Sequence, residues 1–195
     1  VKKSPLELFK NQRAFFTYSI WIISILNMIS LYFLANWLPT LAKESGLSLN
    51  QALMIGSTLQ LGGTIGSVVM GLKIDKTGFY KVLIPVFIVA VMSVALIGYA
   101  VSHIALLFII IFIAGFAIVG GQPAINALSA SYYPVSLRTT GVGWSIGIAR
   151  LGSVIGPLFG GYLSQFLVIT HLFVIAAIPS LFVIIMLIVQ AKYRS

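Results

Sequence analysis

The sequence of 195 residues contains no cysteine and only three acidic side chains, and charged residues of both signs make up 8% of it. Without cysteine there is no disulfide framework and no thiolate metal or redox motif; separately, neither a metal nor a cofactor is expected. An ordinary soluble domain is about 25% charged and about 45–50% apolar. At 59% hydrophobic, the chain has the composition of a membrane protein. It also lacks a continuous basic stripe. The net charge of +9 comes from lysines and arginines scattered singly between apolar runs, which excludes a nucleic-acid surface. A signal peptide is also a poor fit. The basic start VKKSPLELFKNQR leads into a long span with no small-residue cleavage pattern, so residues 1–15 read as a cytoplasmic leader or the end of a linker.

What the chain does have is apolar length. A helix needs about 20 mainly apolar residues to cross the hydrocarbon core. Six stretches meet that length, roughly 16–38, 51–72, 82–101, 104–127, 140–163 and 170–189, followed by a short tail, 190–195. The reading is an all-α membrane protein, a single six-helix bundle with no separate soluble domain.

Basic residues near span ends stay on the cytoplasmic side. With the N-terminus inside, the inner segments hold Lys2, Lys3, Lys10, Arg13, Lys73, Lys76, Lys81, Arg138, Lys192 and Arg194, and the outer loops hold only Lys43. That asymmetry places both termini in the cytoplasm and accounts for the net charge without a polyanionic partner. The remaining base, Arg150, belongs to neither side.

Arg150 sits inside GWSIGIARLGSVIGPLFGG, about ten residues from either end of its span. A central arginine costs about 2.5–3.5 kcal/mol on insertion scales, so something polar must lie beside it. No acid falls within the six stretches, since Glu7, Glu44 and Asp75 lie in loops or tails. Its counter-charge must come from another half, from water or from an anionic ligand. A guanidinium meets a carboxylate with two parallel bonds and can lie flat on an aromatic ring, which suits a small aromatic acid on both counts. Structural pairing with an acid on a helix outside this chain is the bland alternative.

Helical spacing puts Gly143, Gly147, Arg150 and Val154 on one face, so a glycine-lined approach leads to the charge. Ser145, Ala149, Gly152, Gly156 and Gly160 form a neighbouring small face that should pack closely on another helix. Pro157 permits a bend just beyond the charge. The other intramembrane polar residues are Asn27, then Gln60 and Thr64 one turn apart, then Gln122 and Asn126 one turn apart. Such residues face protein or a cavity rather than lipid. The second and fifth spans, each the middle of a triplet, are both glycine-rich. That is a faint internal repeat of the three-plus-three inverted kind that builds one large transporter fold.

After the second span, GLKIDKTGFYK supplies Gly71, Asp75, Lys76, Gly78 and Lys81, which can pair charges and cap helix ends as a conformational latch. This loop resembles the signature G-x-x-x-D-[RK]-x-G-R-[RK] of the major facilitator superfamily, departing from it at Phe79. The stretches NMISLYFLANWLPTLA, LQLGGTIGSVVMGLKID and GGQPAINALSASYYPVSLRTTGVGWSIGIARLGSVIGPLFGG together resemble the C-terminal half of its aromatic acid/proton symporter branch, which includes 4-hydroxybenzoate transporters, from about Ser4 to Gly161. Ala130, Ser131 and Tyr132 precede Tyr133-Pro134 where the sugar-carrier branch has an acid.

The resemblance implies one six-helix half of a twelve-span carrier of the bacterial inner membrane. Its partner is an N-terminal six-helix half or a second copy, and its cargo is a small organic anion moved with protons by alternating access. In this reading Arg150 holds the carboxylate, Asn27, Gln122 and Asn126 bond ring substituents, and Tyr32 or Trp144 stacks on the ring. The proton-coupling carboxylate lies in the other half. Two alternatives remain at this stage. One is a non-transporting or oligomerising half in which Arg150 is an inter-half ion-pair partner. The other is an intramembrane serine protease, because Gly143-Trp144-Ser145-Ile146-Gly147 matches G-x-S-x-G. The second fails on distance. About 18 residues at 1.5 Å rise separate Ser145 from His171 by roughly 27 Å along the membrane normal, far beyond reach of a general base.

Overall fold

The computed structural model describes residues 4–194, so Lys2 and Lys3 of the basic leader lie outside the described residues. Seven α-helices follow one another, α1 Ala14–Glu44, α2 Leu49–Thr77, α3 Phe79–Ile97, α4 Ile104–Tyr132, α5 Val135–Leu163, α6 Ile169–Ala176 and α7 Ile178–Arg194. Helices α6 and α7 together make the sixth span, Ile169–Arg194, so six helical segments are long and apolar enough to cross a membrane.

Local sequence sets the boundaries. Ser48 opens α2 with a reciprocal cap. Its hydroxyl accepts from the Gln51 N–H at 3.3 Å, and its own N–H donates to Gln51 Oε1 at 2.9 Å. Gly78 alone joins α2 to α3, at φ 87°, a left-handed backbone that glycine adopts without a Cβ penalty. Between α4 and α5, Pro134 holds Tyr133 extended (φ −78°, ψ 138°), which ends one helix and starts the next.

Two expectations are corrected. All six spans begin or end beyond the apolar stretches that mark them, because a helix continues into water after its hydrocarbon-crossing part is complete. Glu44 is therefore the last residue of α1 and Asp75 stands in the final turns of α2, not in a loop. The sixth span is broken at Ala177, where Pro179 has no N–H to offer the preceding turn. Pro5–Phe9 forms a 3-10 helix, Leu8 is fully buried, and the Thr17 hydroxyl donates to the Leu8 carbonyl at 2.9 Å.

Glycine decides which helices meet. A Cβ on Gly62 or Gly66 would meet the carbonyl oxygens of Phe112 and Phe116, and one on Gly115 would meet that of Leu59, so α2 and α4 pack backbone to backbone. A Cβ on Gly156 would lie 2.6 Å from the Ile29 carbonyl oxygen, and Gly152 and Gly160 abut Ile25 and the Trp37 indole, so α5 packs as closely on α1. Exchanging the first triplet for the second maps α2 on α4 onto α5 on α1, and α3 on α4 onto α7 on α1. This is the three-plus-three inverted repeat, carried by packing.

Candidate functional site

Residue numbers rise together along the α1–α5 contact. The hydroxyls of Ser24 and Ser145 lie 3.2 Å apart, Gly152 sits against Met28 and Ile29, and Gly160 against Trp37. The two helices are parallel, and Arg150 is level with the residues just before Met28. The small face of α5 is consumed by this contact: Ser145, Ala149, Gly152, Gly156 and Gly160 are all buried.

The adjoining face is open. Gly143, Gly147, Arg150 and Val154 are exposed, and the space a Cβ would fill at Gly143 and Gly147 has no atom within 4 Å. A shallow cavity of about 400 Å³ lies there, lined by Gly143, Trp144, Gly147, Ile148 and Leu151. Gly143 and Gly147 line this cavity, and Arg150 follows them along the same exposed face of α5. Arg150 Nη1 donates to Tyr32 Oη at 3.3 Å, a contact across 118 residues of sequence. Among the described residues the acids all stand at helix ends, Glu7 in the 3-10 helix, Glu44 closing α1 and Asp75 near the end of α2.

The amides form a separate group at a similar depth. Asn27 Nδ2 donates to Gln122 Oε1 at 2.8 Å and to the Ile118 carbonyl at 3.2 Å, and Gln122 Nε2 donates to Asn126 Oδ1 at 3.3 Å. Asn27 is fully buried and Gln122 is 7% exposed, so both tie α1 to α4; Asn126, half-buried, is the accessible end of the chain of amides. Asn27 Oδ1 is buried without a partner among the described residues. A buried acceptor of this kind favours a donor such as a water.

The remaining candidates scatter. Trp144 is 44% exposed and stacks on Trp21 at 6.1 Å and 24°, about two turns before Arg150. Gln60 and Thr64 are exposed on α2, with the Thr64 hydroxyl bonded to the Gln60 carbonyl at 3.0 Å. Gly71, Asp75, Lys76, Gly78 and Lys81 all lie exposed at the α2–α3 corner. Ser145 is fully buried with the Ser24 hydroxyl as its partner, while His103 caps α4 and His171 lies exposed on α6, so no base serves it.

Trp21 and Ser24 escape the sequence reading. Their spacing gives them one face of α1, but nothing in the sequence says that this face meets Trp144 and Ser145. At the end carrying the bases, Tyr133 is 1% exposed, and its hydroxyl lies 2.9 Å from that of Thr17. Burial pushes the Tyr133 phenol up from its ordinary value, with the Thr17 bond pulling the other way.

Residues 20–194 match the family model described as Major Facilitator Superfamily. The chain is 33% identical to a gallate transporter of Pseudomonas putida over 180 residues, 91% of this chain and 40% of the relative. It is 34% identical to a benzoate transport protein of Acinetobacter baylyi, over 83% of this chain and 34% of that one. Against a 4-hydroxybenzoate transporter of Pseudomonas aeruginosa the identity is 35%, over 75% of this chain and 33% of the relative. The chain therefore spans well under half the length of each of these relatives.

Proposed function

This chain belongs to the Major Facilitator Superfamily, and we propose that it forms one six-span half of a secondary transporter for a small aromatic carboxylate. It works across a bacterial inner membrane in symport with protons, with both termini cytoplasmic. The observation that carries this reading is the placement of Arg150. It lies on an open, glycine-lined face of α5 with the hydroxyl of Tyr32 as its hydrogen-bond partner. An arginine so placed is unfavourable against lipid and favourable against a second half enclosing an anion. Gallate, benzoate and 4-hydroxybenzoate, for which the relatives are named, share a carboxylate on an aromatic ring.

In this mechanism Arg150 takes the carboxylate through both oxygens, and Tyr32 holds the guanidinium fork toward the cavity. Asn126 offers the accessible amide to a ring substituent. Asn27 and Gln122 act behind it, as the tie between α1 and α4 that carries Asn126. Trp144, stacked on Trp21, flanks the route between Arg150 and the cytoplasmic end. The proton-accepting carboxylate sits in the other half. The two halves rock about the site, and Asp75, Lys76 and Lys81 at the α2–α3 corner latch one of the two states.

Two expected results follow from these roles. Tyr32→Phe keeps the ring and removes one hydrogen bond to a charged group, about 1.5 kcal/mol, so substrate affinity falls roughly tenfold in equilibrium binding while folding is unchanged. Asp75→Asn slows transport severalfold with little change in the half-saturating concentration; unaltered turnover in a rate assay removes the latch.

The second reading makes Arg150 an ion-pair partner of an acid on the other half, with no substrate contact. The deciding experiment is uptake of labelled benzoate by the full-length protein in proteoliposomes, with benzoate and uncharged benzamide as competitors. A carboxylate anchor predicts competition by benzoate and none by benzamide. Equal competition by both favours the ion pair.

A further inference from the structure

A second polar cavity, sharing no residue with the Arg150 groove, opens at the end of the bundle that carries the bases. Its volume is about 270 Å³, and Asn11, Gln12, Tyr80, Gln190 and Arg194 supply its polar lining. Aromatic rings wall it: Phe16 stacks on Tyr132 at 3.6 Å and 14°, and Phe15 meets Tyr193 at 4.5 Å. Gln190, 2% exposed, is fixed from both ends. Its amide nitrogen donates to Ser19 Oγ, and its oxygen accepts from Tyr80 Oη at 3.3 Å. Asn11 and Gln12 take left-handed backbone conformations, φ 55° and 62°, which residues other than glycine adopt rarely. They turn the chain at the lip of the cavity instead of extending α1 toward its N-terminus.

Tyr80 also lines a neighbouring groove of about 590 Å³ that runs past Ile84 and Pro85 of α3 and Ala191 of α7, with Lys81 at its rim. A polar pocket holding a guanidinium thus shares one wall, Tyr80, with an apolar trough along α3 and α7. That shape asks for an amphiphile with an anionic head and a hydrocarbon tail. Tyrosines cluster where head groups meet hydrocarbon, and basic pockets between spans on the cytoplasmic side suit anionic lipid heads.

We propose that this site holds one anionic phospholipid of the cytoplasmic leaflet. Its phosphate lies on the Arg194 guanidinium and the side-chain amides of Asn11 and Gln12, and one acyl chain lies along Ile84, Pro85 and Ala191. A free phosphoester would use the polar pocket alone and leave the trough empty, so the two sources of phosphate separate experimentally.

The test is a ligand titration of the purified full-length protein in detergent, read as melting temperature. Phosphatidylglycerol, phosphatidylcholine of the same acyl composition, and glycerol 3-phosphate are compared. Phosphatidylglycerol is expected to stabilise at concentrations well below those of phosphatidylcholine, and glycerol 3-phosphate to have no effect. R194Q removes about one surface charge of attraction and weakens the phosphatidylglycerol response about fivefold, while R138Q, at the start of α5, leaves it unchanged. Equal responses to the two lipids, equal losses in R194Q and R138Q, or a full shift with glycerol 3-phosphate alone would each overturn the proposal. Should R194Q not fold, the comparison of the two lipids on the unaltered protein decides by itself.

Discussion

Arg150→Ala abolishes measurable uptake of aromatic acids while the protein folds and accumulates normally. Two charge-assisted hydrogen bonds to a carboxylate are worth about 3 kcal/mol together, so their loss lowers transport efficiency by roughly two orders of magnitude. Arg150→Lys keeps the charge and loses the fork, and recovers only part of that loss. Stability is spared because the side chain is exposed and its hydrogen-bond partner is the hydroxyl of Tyr32. The pair of readouts is a rate in proteoliposomes and a melting temperature in detergent. Normal transport by both variants contradicts the carboxylate role. Loss of transport together with a collapse in melting temperature points instead to a structural ion pair.

Gly152→Val and Gly147→Val, five residues apart on α5, are expected to fail in opposite ways. A Cβ at Gly152 would lie 2.8 Å from Met28 Cβ and closer still to the Ile25 carbonyl oxygen, so α1 and α5 must separate along their length. Overpacking of this kind costs about 1–3 kcal/mol and more when backbone has to move. Gly152→Val therefore lowers the melting temperature sharply and reduces the monodisperse fraction on size exclusion. At Gly147 there is nothing within 4 Å of the added Cβ, so Gly147→Val is expected to fold like the parent. It narrows the approach to Arg150 and slows uptake severalfold. A stable Gly152→Val protein, or an unfolded Gly147→Val one, would reverse the assignment of the packed and open faces.

This contrast shows how far the residues alone carry. The division of α5 into a small buried face and an open charged face follows from helical spacing, because a period of 3.6 residues fixes which side chains share a side. Which helix fills the small face does not follow. The partner is α1, more than a hundred residues away in sequence, chosen by shape and by what the other glycine-rich helix, α2, takes for itself. Tyr32 was therefore legible as a candidate ring near the site but not as the hydrogen-bond partner of Arg150.

The amides are instructive in the same way. Asn27, Gln122 and Asn126 stand out in the sequence as polar residues within apolar spans, and sequence spacing pairs the last two. Only the crossing of α1 over α4 decides that Asn27 and Gln122 face each other and that Asn126 stays accessible. Hydropathy marks where hydrocarbon ends, not where a helix ends, which is why Asp75 read as a loop residue and lies on α2. The break at Ala177 had a local sign in Pro179, masked by the apolar run around it.

The central claim is that the open face of α5 recognises a carboxylate on an aromatic ring. It is tested most directly by equilibrium binding of a labelled aromatic carboxylate to the purified full-length protein, competed by the same acid and by its uncharged amide, before and after Arg150→Ala. The account predicts saturable binding of the acid, displacement by the acid but not by the amide, and loss of that preference in the variant. Displacement by acid and amide alike, or an unchanged preference for the acid in Arg150→Ala, contradicts it.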